Sequence, residues 1–276
     1  MNRLYLSDLD KTLLYTDLSL SLLSVSVWNR LAAAGIRLSV ATARSAPKTL
    51  ELLKPLRLEH PLIVMDGAMI VSPEGEVLYQ KYLDQSTGAA AIEIGRKSGI
   101  EPFMIGMDEK GIERFRYGQT NALQQELLFA YQSDRRLQHE SDLRPLAENI
   151  KIVYIGEKEP LEGIKAEIEE RLGESVEIKF AKDPYLEGWF LTLLHPEGDK
   201  AHALKQLQEM GYGEHKTTVF GDSHNDLGLF LCADEKIAVA NAVEELKVHA
   251  TKILPHTNDE DAVAKFLKER FSNHFG

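Results

Sequence analysis

The sequence predicts an α/β protein with a Rossmann-like parallel-sheet core and a smaller α/β domain inserted into it. Three observations predict this class. Short apolar runs alternate with helix-period segments as far as Met65, the pattern of crossovers in a parallel sheet. The same texture returns after His195-Pro196. The stretch between them has paired strand segments instead, and 276 residues suit about two domains.

Leu4–Leu6 is a short apolar run ending at Ser7-Asp8, a buried strand with a carboxylate at its carboxyl tip. Apolar residues at Leu20, Leu23, Val27, Leu31 and Ala34 keep helical period from Leu18 to Ala34, and Gly35 stops it. Ile36–Ala41 alternates like a strand and delivers Thr42-Ala43-Arg44. A short helix begins near Pro47, and Pro61–Met65 is a further buried strand of the same sheet. Phe103–Met107 and Ile112–Tyr117 flank Asp108-Glu109-Lys110-Gly111 as a hairpin. Asn121–Gln132 is a helix, Ile150–Ile155 a strand, and Leu161–Leu172 a charged amphipathic helix closed by Gly173. Val176–Phe180 and Trp189–Leu194 are strands, and this middle unit is expected to pack its helices on one side of an antiparallel sheet. Lys200–Met210 is a helix, Thr217–Phe220 a strand ending in Gly221-Asp222, and Leu227–Leu231 an apolar helical stretch that buries Cys232. Lys236–Ala240 and Lys252–Leu254 are strands, and Asp261–Phe271 is the closing helix. Residues 1–80 and 193–276 thus form the core, and residues 81–192 the inserted domain.

Composition narrows the function classes. Basic residues number 32 against 43 acidic ones, a net charge of −11, so a nucleic-acid surface with clustered positive charge is not expected. No apolar run approaches the roughly 20 residues that span a bilayer. Cys232 is the only cysteine, which excludes an internal disulfide and suits a reducing compartment. With no signal-peptide pattern in MNRLYLSDLD, a cytoplasmic protein is expected. Oligomeric state leaves no trace in the sequence.

Open α/β sheets bind ligands beyond the carboxyl ends of their strands. Four polar groups fall there: Asp8-Leu9-Asp10-Lys11-Thr12, then Thr42 with Arg44, then Lys200 at a helix start, then Gly221-Asp222-Ser223-His224-Asn225-Asp226. Taken singly, each reads as a turn, a helix cap or a solvated charge. A lysine opening a helix opposes the helix dipole, however, which asks for a special reason. Taken together and in this order, they describe one polar site. His195 and His202 have no partner at metal-ligand spacing, and His224 reads as a loop residue.

These four groups resemble the motifs of the haloacid dehalogenase superfamily, and within it the Cof-like sugar-phosphatase branch. Asp8 to Thr12 matches Asp-x-Asp-x-Thr, Thr42 the threonine after the second strand, Lys200 the lysine after the inserted cap, and Gly221 to Asp226 the Gly-Asp-x-x-Asn-Asp motif. Softer likenesses lie at Asp66-Gly67-Ala68, Asn241 and Asn258. The resemblance implies a cytosolic Mg²⁺-dependent phosphatase acting on a small phosphorylated metabolite, with no nucleic-acid or membrane partner. It implies Asp8 as the nucleophile that forms an aspartyl-phosphate and Asp10 as general acid and base. Asp8, Asp222 and the backbone carbonyl of Asp10 would hold the metal, with Asp226 orienting Lys200 from behind. Thr12, Thr42, Arg44, Lys200 and Asn225 would bind phosphate, and the inserted domain would close over the cleft and select the leaving group.

Lys11 stands where the family has glycine, and it is expected to add positive charge near the site. Ala43, Ala201 and Ala262 replace further glycines, and Asp66 replaces a frequent asparagine. The alternatives are a phosphomutase or dedicated sugar-phosphate-ester phosphatase on the same site, or a non-catalytic phosphometabolite-binding protein.

Overall fold

The computed structural model describes residues 3–182, 186–212 and 216–275. The chain divides into two compact units, Met1–Gln80 with Asp199–Gly276, and Lys81–Gly198. The first begins with β1 (Arg3–Ser7), α1 (Leu22–Ala33), β2 (Arg37–Val40), α2 (Ala46–Leu52), β3 (Leu62–Val64), β4 (Met69–Val71) and β5 (Val77–Gln80). The second holds α3 (Gln85–Lys97), β6 (Phe103–Met107), β7 (Glu113–Tyr117), α4 (Ala122–Ala130), β8 (Leu137–His139), β9 (Glu148–Gly156), α5 (Lys158–Leu172), β10 (Glu177–Lys182) and β11 (Trp189–Leu194). The chain then returns to the first unit with α6 (Lys200–Leu207), β12 (Lys216–Gly221), α7 (Leu227–Cys232), β13 (Glu235–Ala238), α8 (Glu244–His249), β14 (Lys252–Ile253) and α9 (Ala262–Arg270).

The first unit is built on a five-stranded sheet in the order β14-β13-β12-β1-β2, parallel throughout. Leu4 and Leu6 are fully buried and Tyr5 nearly so, as expected of a central strand covered on both faces. Because the strands are parallel, all their carboxyl ends lie on one edge. Asp8, Thr42 and Asp222 follow β1, β2 and β12 there.

Pro61–Met65 behaves differently from expectation. β3 touches the parallel sheet through one bridge, Ala41 to Ile63, and otherwise pairs antiparallel in a separate β3-β4-β5 sheet. The cause is a sharp reversal at Met65-Asp66-Gly67, whose φ values are all positive (54°, 62° and 107°). Gly67 also abuts the main chain of Asp199, where a Cβ would lie 2.1 Å from the carbonyl carbon. Only glycine fits that approach. α1 starts at Leu22 rather than Leu18, because Leu18 is left-handed (φ 68°) and Ser21 caps the helix by accepting from the Ser24 amide.

The second unit has a six-stranded sheet in the order β10-β11-β9-β6-β7-β8, antiparallel except for β7 with β8. Its helices occupy both faces, not one. On β9, Ile152 and Tyr154 pack with Ala91, Ile92 and Ile94 of α3 and with Leu161, Ile164 and Ile168 of α5. The alternate residues Val153 and Ile155 join Phe103, Phe115 and the half-buried Leu123, Leu127 and Leu128 of α4. The period of two along one strand therefore feeds two separate clusters. The sequence-derived edge at 192/193 cuts β11: Leu193 and Leu194 still pair with β10, and the unit runs to Gly198. Cys232 is exposed rather than buried, because α7 buries Leu229 and Phe230 and the next buried position on that face is Ala233. Among the described residues, no helix is long and apolar enough to cross a membrane.

Candidate active site

The site is assembled at the carboxyl edge of the five-stranded sheet. The Asp8 amide donates to the Phe220 carbonyl (3.0 Å), which extends the β1–β12 pairing by one residue and sets Asp8 beside the end of β12. Leu9–Leu13 then winds into a wide turn closed by the Leu14 amide on the Leu9 carbonyl (2.9 Å). Lys11 is left-handed in that turn (φ 54°, ψ 16°), a conformation glycine adopts at lower cost.

Lys200 is the hub. It opens α6 behind the Asp199 cap and is 1% exposed. Its Nζ lies 2.7 Å from Asp8 Oδ1 and 2.8 Å from Asp226 Oδ1. The cation that opposes the helix dipole is thus held by two buried carboxylates. Burial alone would lower the pKa of this ammonium, but Asp226 and Asp8 outweigh it and hold the group above the usual lysine range.

Asp226 is fixed from its other side. Its Oδ2 accepts from the Asp222 amide (3.1 Å) and the Ser223 amide (3.3 Å). Gly221 makes room for it, since a Cβ there would stand 2.7 Å from the Asp226 side chain. Gly221→Ala is therefore expected to push Asp226 off Lys200 and destabilise the protein by about 1–3 kcal/mol, with a fall in turnover. Thermal unfolding and steady-state assay check this, and an unchanged variant would show that the Asp226 position is not constrained as described.

Asp222 accepts a hydrogen bond from the Thr12 hydroxyl (3.2 Å). Asp8, Asp222 and Asp226 each offer an oxygen within 4.8 Å of the others, and all three are buried. Burial, then the negative charge of Asp226, pushes the Asp222 carboxyl up to about 7, against the pull of Lys200, the Thr12 hydroxyl and Lys11. Burial also raises Asp8 well above the usual carboxylate range; Lys200 opposes the shift, while Asp226, Asp222 and Asp10 add to it. One buried lysine stands among three buried carboxylates, a surplus of negative charge that suits a divalent cation. The available donors are hard oxygens, the ligands that hard divalent cations take.

Thr42 is fully buried and caps its own turn, its hydroxyl accepting from the Arg44 amide (3.2 Å). The Thr42 and Arg44 carbonyls accept from the Asp66 amide (3.0 Å) and the Met65 amide (2.8 Å), so the left-handed reversal braces this loop. The Arg44 guanidinium meets Asp10 in a two-pronged contact, Nε to Oδ2 at 2.8 Å and Nη2 to Oδ1. Sequence patterning anticipates this pairing for neither residue. Asn225 is half-buried, and its carboxamide oxygen accepts from the Ser223 hydroxyl in its own loop (2.8 Å). His224 is exposed and faces Glu245.

Two asparagines at the far end of the chain support the turn after Asp8. Asn241 Nδ2 donates to the Lys11 carbonyl (2.8 Å), and Asn258 Nδ2 donates to the Leu14 carbonyl (3.0 Å). The Asn258 amide donates to Asn241 Oδ1 (2.9 Å), linking the two. In the sequence they are only soft likenesses; the available signal is an amide side chain just after each of two strands.

Residues 5–267 match the family model for haloacid dehalogenase-like hydrolases. Over 258 residues the chain is 29% identical to an "HMP-PP phosphatase" of Escherichia coli, covering 93% of this chain and 89% of that protein. It resembles the crystal structure of a haloacid dehalogenase-like hydrolase from Bacteroides thetaiotaomicron with a TM-score of 0.81 at 25% identity, covering 98% of this chain and all of that one. A Thermotoga maritima structure shares the fold with a TM-score of 0.78 at 23% identity, covering 98% of this chain and 97% of that one.

Proposed function

The chain belongs to the haloacid dehalogenase-like hydrolase family, and from that footing we propose that it is a magnesium-dependent phosphatase of small phosphomonoesters, working through a phosphorylated Asp8. The observation that carries this reading is the buried Lys200 bridging Asp8 and Asp226 beside Asp222.

A carboxylate oxygen of Asp8 attacks phosphorus and the P–O ester bond breaks, with the Asp10 carboxyl delivering a proton to the departing alkoxide. Water then attacks the same phosphorus, Asp10 takes its proton, and the aspartyl–phosphate bond breaks to return the Asp8 carboxylate and inorganic phosphate. Lys200 neutralises Asp8 and the incoming phosphate. Thr12, Thr42, Arg44 and Asn225 are assigned to binding the phosphoryl group and shaping its surroundings. For Arg44 this means exchanging one anionic partner, the Asp10 carboxylate, for another. Asp8, Asp222 and the main-chain carbonyl of Asp10 would hold magnesium, with Asp226 orienting Lys200. A divalent ion held there would supply positive charge to the phosphoryl oxygens.

Release of phosphate from p-nitrophenyl phosphate by the purified protein, dependent on added Mg²⁺, is the first test. HMP-PP is the natural second substrate, given the name of the Escherichia coli relative. No phosphate release from either substrate, with metal binding intact, would overturn the reading.

Metal binding should also move protons. Asp222 titrates near 7 in the metal-free protein, and a ligand must be charged to bind. Uptake of Mg²⁺ at about pH 6 is therefore expected to release about one proton from Asp222, with its share vanishing by about pH 8. Calorimetry in buffers of different ionisation enthalpy measures this. A heat at pH 6 that does not depend on the buffer would count against Asp222 as a ligand.

A further inference from the structure

The opposite edge of the parallel sheet carries a second polar feature. A cavity of about 350 Å³ opens at the amino ends of β1 and β2, lined by Arg3, Arg37 and Arg270, with Tyr5 and Phe271 among its walls. Among the described residues lining it, none is acidic. In a chain of net charge −11, three arginines around one cavity make a local reversal of sign. Five residues of extended strand, at about 3.3 Å each, separate Arg3 from Asp8 by roughly 16 Å.

The arginines are brought together by different means. Arg37 begins β2 directly beside Leu4 of β1. Arg3 and Arg270 are oriented from behind by Glu235, which accepts from Arg3 Nη1 (3.1 Å), from both Arg270 Nη1 (2.5 Å) and Nη2 (2.9 Å), and from the Thr218 hydroxyl (2.8 Å). Glu235 is itself held below the usual carboxylate range: burial opposes this, and Arg270, Thr218 and Arg3 prevail. One carboxylate thus fixes two guanidinium groups without lining the cavity. Tyr5 and Phe271 meet edge to face with centroids 5.5 Å apart and ring planes 72° to each other, forming an angled aromatic wall beside the charges.

We propose that this cavity binds the phosphate group of a small molecule, at a site separate from the centre around Asp8. Guanidinium groups match phosphate oxygens in paired hydrogen bonds, and groups already fixed by Glu235 lose little freedom on binding. The aromatic wall has room for an organic portion attached to that phosphate.

The test is titration calorimetry on metal-stripped protein in metal-free buffer, with inorganic phosphate and phenyl phosphate as probes. Saturable binding is expected, weakened about tenfold or more in Arg37→Gln, through loss of one charged hydrogen-bonding partner. Arg270→Lys, which keeps charge but loses the two-pronged hold of Glu235 that orients it, should also weaken it. Phosphatase turnover with Mg²⁺ should be unchanged in Arg37→Gln. Tighter binding of phenyl phosphate would identify an organic phosphate as the ligand, and equal binding would identify inorganic phosphate itself. Absence of saturable binding, or equal affinity in wild type and both variants, would overturn the proposal. The readout needs no catalysis, so it stands or falls apart from the phosphatase reading.

Discussion

Asp8→Asn is expected to abolish turnover and, at the same time, to make the metal-free protein more stable. Loss of the nucleophile should cost on the order of 10⁴-fold or more in kcat, since groups that act as one catalytic unit fail together. Stability moves the other way because Asp8 is a poor place for a charge. Burial disfavours its carboxylate, and Asp226, Asp222 and Asp10 add repulsion; Lys200 offsets these only in part. An amide of the same shape removes the charge, and Lys200 keeps its contact with Asp226 at 2.8 Å. A gain of about 1 kcal/mol is expected, which corresponds to a rise of roughly 2–4 °C in the melting midpoint. Turnover retained in the variant would remove Asp8 as nucleophile. A lowered midpoint would instead show that the Asp8–Lys200 pair stabilises the fold.

That opposition between stability and activity follows from where the residue sits, and its position is legible in the amino-acid order. Apolar Leu4–Leu6 followed by Ser7-Asp8 marks a buried strand with a carboxylate at its tip, and parallel crossovers bring all such tips to one edge. The nearness of Asp8, Lys200, Asp222 and Asp226 follows from that rule together with the order of the motifs. Pairings within the edge are less accessible. Arg44 and Asp10 are 34 positions apart, and the motifs give each a partner on the substrate; only the folded loops show that they face each other. Asn241 and Asn258 are harder still, because a side-chain amide reaching a carbonyl more than 200 residues away leaves no periodic signal.

Departures in the fold have the same local origin. Met65-Asp66-Gly67 turns back on three left-handed residues, which apolar patterning does not encode, so patterning alone puts β3 in the wrong sheet. The α4 helix covers the second face of its sheet because Val153 and Ile155 are as apolar as Ile152 and Tyr154. The run Ile150–Ile155 is apolar on both faces, and such a strand needs a helix layer on each side; an expectation of helices on one side overlooks that need.

Lys200→Met should be the most destabilising single substitution at the site, and a second substitution should repair it. Methionine fills similar volume without charge, leaving Asp8, Asp222 and Asp226 buried with no lysine among them. Breaking a buried ion pair from one side costs about 3–5 kcal/mol, and here one ammonium serves two carboxylates. Added Mg²⁺ should recover part of the loss by supplying positive charge to the same oxygens. Asp226→Asn in the Lys200→Met background should recover more, because it removes a carboxylate that bonds to that lysine and to two backbone amides. The amide keeps a carbonyl oxygen for the Asp222 and Ser223 main-chain donors. Activity should not return in the double variant, since the charge that steadies Asp8 and the phosphoryl group is still missing; a kcat lower by about 10²–10³ is expected in both. Unfolding midpoints with and without Mg²⁺, set beside kcat for the two single variants and the double, separate the two roles. If the double variant is no more stable than Lys200→Met alone, the lysine stabilises the core through packing rather than charge, and the electrostatic account of this site fails.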